Sequence, residues 1–66
     1  MCEANAYIRR NGQDQLILEA VDKLIPQAGQ VSMINIFGQQ KTIKARIIEL
    51  ALVDHKIILE ELQEER

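Results

Sequence analysis

Sixty-six residues make a single domain, and folding at this size hides only about 60% of the surface the unfolded chain exposes. Support must then come from a metal or a partner chain, because a single cysteine rules out an internal disulfide. A net charge of −2 disfavours nucleic acid as a partner, and no window approaches the roughly 18 apolar residues of a membrane span.

The first residues also lack the basic-then-apolar order of a signal peptide, so a cytoplasmic protein with a reduced thiol is expected. Apolar residues make up 47% of the chain, more Ile, Leu and Val than one thin β layer could cover. A homodimer is the expected remedy.

Residues 2–9 alternate, with Cys2, Ala4, Ala6 and Ile8 on one face and Glu3, Asn5, Tyr7 and Arg9 on the other. Asn11-Gly12 follows, a strong hairpin signal because both turn residues must take positive φ. Residues 14–20 should therefore pair antiparallel with the first strand. A helix is the rival there, since Leu16, Ala20 and Leu24 keep helical spacing and Glu19 to Lys23 is a favourable i,i+4 pair.

Pro26 and Gly29 bracket a turn around Gln27-Ala28, and Val31 to Phe37 reads as a third strand ended by Gly38. Gln40 to Ile47 alternates again, with Lys41, Ile43, Ala45 and Ile47 on one side. At Ile47-Ile48 the phase slips, which predicts a bulge or sharp bend that curls the sheet, with a helix through Ile47, Leu50 and Ala51 as the rival. Asp54-His55 reads as a turn, Lys56 to Leu59 as a final strand, and 62–66 as a charged end. The expected fold is all-β, a small curved antiparallel sheet or SH3-like barrel forming one domain over residues 1–66.

The distinctive chemical group is Cys2. A lone cysteine can be a small buried hydrophobe, but position two offers another use. If Met1 is removed, the new α-amine and the Cys2 thiolate close a five-membered chelate ring; if Met1 stays, its amine, the Cys2 amide nitrogen and the sulfur form two fused rings. One chain without Met1 supplies only two donors, so a four-coordinate site needs two copies of Cys2, most simply across a two-fold. Planar nitrogen and thiolate donors suit Ni(II) or Cu(II), a tetrahedral set Zn(II).

The segments Met1-Cys2-Glu3-Ala4-Asn5-Ala6-Tyr7, Asn35-Ile36-Phe37-Gly38-Gln39-Gln40-Lys41 and Leu52-Val53-Asp54-His55-Lys56-Ile57 resemble the CooT family of small nickel-binding proteins. The resemblance covers nearly the whole chain. It implies a homodimeric small β-barrel that binds one Ni(II) per dimer through Cys2 and serves nickel insertion into carbon monoxide dehydrogenase. A His-rich storage tail is absent from the sequence, so a carrier of single ions is expected.

Other residues carry weaker signals. His55, the only histidine, is a candidate ligand but stands far along the chain from Cys2, and Glu3 is offered at most a supporting place beside the metal. Asn5 and Tyr7 suit solvent or a dimer contact. Lys41, Lys44 and Arg46, with Arg9 and Arg10, could form a basic patch for RNA, but two aromatic residues are poor provision for base stacking. Neither a Cys-His arrangement with an orienting group nor a phosphate-binding glycine loop is evident, so no enzyme is expected.

Overall fold

The computed structural model describes residues 3–62, which form six strands. These are β1 (Ala4–Arg10), β2 (Gln13–Gln27), β3 (Gln30–Asn35), β4 (Gln40–Ile43), β5 (Ala45–Ala51) and β6 (Lys56–Glu61), in one sheet ordered β4-β3-β2-β1-β6-β5. The fold is all-β, as its alternating sequence predicts. Asn11 and Gly12 turn the first hairpin at φ 54° and 78°, so both adopt the positive φ that a two-residue turn demands.

Curvature comes from β2, which runs for 15 residues and serves two neighbours in turn. Its first part pairs with β1 as far as Val21, and its second part pairs with β3 from Val21 to Gln27. Where the two meet, Ala20 takes φ 57° and the register slips on both sides, so the strand bends and folds β3 and β4 over the rest. Val31 and Met33 from the folded-over part then pack with Ala6, Leu18, Ile57 and Leu59 in one core.

A second constraint closes the curl. β4 and β5 are the two edges of the sheet, yet only Lys44 separates them in the chain. In a flat six-stranded sheet the edges would lie about 24 Å apart at ~4.8 Å per strand. A one-residue link reaches only about 7 Å. The sheet must therefore roll until its edges approach, and beside that link the Leu62 N–H donates to the Lys44 carbonyl at 2.9 Å, extending the β5–β6 ladder by one step.

Several expectations take a more definite form. The rival helices are strands, and the register shift between Ile47 and Glu49 places a bulge at the predicted phase slip. Pro26 lies inside β2, and the turn is Ala28-Gly29. The third strand stops at Asn35, two residues short of the predicted end, because Asn35 seeds a turn that leaves Ile36 and Phe37 exposed. The predicted continuous run from Gln40 to Ile47 is broken at Lys44. One pairing is new: β1 and β6 run parallel, with β2 to β5 as their crossover.

Candidate functional site

Met1 and Cys2 lie outside the described residues, so the chain is first followed at Glu3. Glu3 lines a groove with Ala4, Leu50, Leu52, His55, Lys56 and Ile57, between the start of β1 and the β5–β6 turn. The parallel pairing builds it, since Asn5 stands opposite Lys56 and its N–H donates to the His55 carbonyl at 2.8 Å. His55 accepts this place at φ 56°, closing the turn that spans Leu52 to His55.

Hydrogen bonds carry the same end of the sheet to its opposite wall. The Ala20 N–H donates to Asn5 Oδ1 at 3.0 Å, and the Ile36 N–H donates to the Ala20 carbonyl at 2.9 Å. Asn5 is thus a structural clasp at the β2 bend, not a residue left to solvent. Its strand neighbour Tyr7 is half-buried, with the Lys56 ammonium 5.4 Å from its ring centre.

The fold brings Glu3 and His55, distant in sequence, onto one groove. Both side chains are exposed, and among the described residues no three of His, Cys, Asp and Glu gather closely enough to hold a metal ion. Cys2, the residue singled out from the sequence, precedes Glu3 and lies outside the described residues.

The supposed basic patch is spoken for. Arg9 Nε donates to Asp14 at 2.8 Å, Arg10 holds Glu61 at 2.9 Å, and Arg46 holds Glu60 at 2.7 Å. The Arg9 bond keeps the Asp14 carboxyl below its ordinary range, and Asp14 in turn raises the Arg9 guanidinium. Lys41 Nζ donates to the Ile17 carbonyl at 3.1 Å, on the side of β2 that no strand covers. These charges act within the fold, and a polyanion would have to compete for them.

One residue central to this end was missed in the sequence. Asn35 is buried, its Oδ1 accepting from the N–H groups of Phe37 and Gln39 while its Nδ2 donates to the Glu19 carbonyl and to Gln39 Oε1. The available signal was an Asn three residues before a Gly, a pattern that favours a side-chain-capped turn over a strand.

Comparison with known proteins agrees with this architecture. The crystal structure of a candidate CooT protein from Carboxydothermus hydrogenoformans is 52% identical, superimposes with a TM-score of 0.87, and covers 94% of this chain and all of its own. An uncharacterised protein of Archaeoglobus fulgidus is 37% identical over 43 residues, 65% of this chain and 96% of that one. Residues 1–60 match the family model described as the CO dehydrogenase accessory protein CooT. The chain belongs to this family of carbon monoxide dehydrogenase accessory proteins.

Proposed function

We propose that this protein is a cytoplasmic, non-enzymatic carrier that delivers Ni(II) to carbon monoxide dehydrogenase during its maturation. The ion is cargo, shared at one per homodimer by sulfur and main-chain nitrogen from the two Cys2 residues. The observation that carries the reading is the extent of the family match, which starts at residue 1 and so includes the Met1-Cys2 opening. The donor count supports it: among the described residues no three of His, Cys, Asp and Glu gather closely enough to hold a metal ion, and an N-terminus that has lost Met1 offers two donors, which a second copy would bring to four.

The test is a Ni(II) titration of tag-free protein, read by ultraviolet-visible absorption and native mass spectrometry. A sulfur-to-nickel charge-transfer band and one ion per two chains are expected. The Cys2→Ser variant should lose both while keeping its circular dichroism and its dimer. Unchanged nickel affinity and spectrum in that variant would remove Cys2 from the site.

A further inference from the structure

β2 is paired on both sides only in part. Its outer edge carries β3 from Val21 to Gln27, but from Gln13 to Leu18 it pairs with β1 alone. Among the described residues no strand pairs with that stretch of the outer side, and Gln13 to Leu16 are all exposed. In a two-residue hairpin the pair flanking the turn exchanges both main-chain bonds, so Gln13 bonds Arg10 and Gln15 bonds Ile8. Asp14 and Leu16 then turn their N–H and C=O groups to the open side. The opening ends at Ile17, which the register with β1 skips and whose carbonyl takes the Lys41 ammonium at 3.1 Å.

Two rows of side chains that cross the sheet end at this edge. In the first, Arg46, Glu60, Arg9 and Asp14 are successive partners across β5, β6, β1 and β2, alternating in sign and ending on a carboxylate. Asp14 holds Arg9 at 2.8 Å, and a carboxylate has further lone pairs for a second cation. The second row runs Ile58, Tyr7, Leu16 and ends on a leucine that is 49% exposed.

We infer that the open edge of β2 takes an extended segment of another protein as an added strand, with a Lys or Arg opposite Asp14 and, two positions away, an apolar residue opposite Leu16. Main-chain bonds to Asp14 and Leu16 supply the attachment, and the two rows supply the selectivity. The cation continues the alternation of sign, the apolar side chain covers Leu16, and the net charge of −2 favours a basic partner. The inference rests on the sheet edge alone and holds whether or not the protein carries nickel.

The probe is the peptide acetyl-Lys-Thr-Val-Thr-Lys-amide, whose symmetry sets a cation two positions from the valine in either strand direction. It is titrated into the isotope-labelled full chain at low salt and read by amide chemical shifts, beside a peptide with Glu for both lysines and one N-methylated at its valine. Shifts should centre on Asp14 to Leu16. The glutamate peptide and the Asp14→Asn variant should each bind about threefold more weakly or worse, and the N-methylated peptide should not bind. Asp54→Asn, which removes the same charge from the exposed β5–β6 turn, should bind like wild type. Both substitutions fall on exposed side chains, and the amide spectrum of each variant confirms that it folds. No shifts at millimolar peptide, equal binding of either altered peptide, or equal binding by the two variants overturns the inference. So does slow hydrogen exchange at Asp14 and Leu16 without peptide that is lost on dilution, which gives the edge to a second copy of the chain.

Discussion

The two ends of the rolled sheet are built on opposite plans. At the Asn11-Gly12 end, arginines 9, 10 and 46 each meet a carboxylate of the same chain, so the surface satisfies itself. At the other end, where β1 begins, main-chain bonds and the Asn5 side chain tie Asn5, Ala20, Ile36 and His55 together, and the exposed Leu50, Leu52 and Val53 stand beside exposed polar side chains that, among the described residues, meet no partner charge as the arginines do. The first end resembles a finished surface, and the second a half-finished one. On the proposed carrier reading, cargo would be handed over at an end of the second kind, the end at which Glu3 lies.

This contrast can be broken most severely at Asn35, which holds the apolar end in shape. Asn35→Ala removes four hydrogen bonds and leaves the Phe37 and Gln39 N–H groups without their acceptor, at a cost of about 3 kcal/mol in urea denaturation. Asn35→Asp keeps an acceptor for both N–H groups but, when ionised, sets a buried charged oxygen against the Glu19 carbonyl and Gln39 Oε1, so it should lose less than Ala only at a pH low enough to protonate it. Equal losses in both variants at that low pH would show that the turn does not depend on those two N–H groups.

The charged end is held by its hairpin, where the expected effect is smaller. Gly12→Ala should cost about 1 kcal/mol by the same measurement. A Cβ at that position would meet nothing within 4 Å, so the loss would come from φ 78° and not from crowding. A variant as stable as wild type would mean that the backbone relaxes to a different turn.

What the sequence revealed divides along the same line. Asn11-Gly12 and the slip at Ile47-Ile48 are local signals, readable because turn geometry and period-2 phase are properties of adjacent residues. The parallel pairing of β1 with β6 is invisible to such signals, since alternation reports which face a side chain takes and not which strand lies beside it. That pairing is what brings Glu3 to His55, so the groove could not be read from residues standing far apart. Asn35 was hidden for a related reason: the Ile-rich run around it has strand character, and its buried amide outweighs that preference locally. Cys2 was singled out from its chemistry and from the family resemblance, it lies outside the described residues, and nickel binding by it is the proposal to test.

The smallest effect expected is at the Arg9–Asp14 pair, and it sharpens the view that the charged end is self-satisfied. Both groups are open to water, so the pair adds little to overall stability, but its sign is definite. Arg9 lowers the Asp14 carboxyl below its ordinary value of 3.8, which means that the ionised form is favoured by folding. The contribution is therefore complete above the ordinary carboxylate range and is lost as pH falls through the lowered folded value. Arg9 keeps its charge throughout that window, because its own shift is upward. Carboxyl chemical shifts followed through an acid titration should place the Asp14 midpoint lower in wild type than in Arg9→Gln. Coincident midpoints would show that the guanidinium does not hold Asp14 in solution and that this end is less self-contained than its hydrogen bonds indicate.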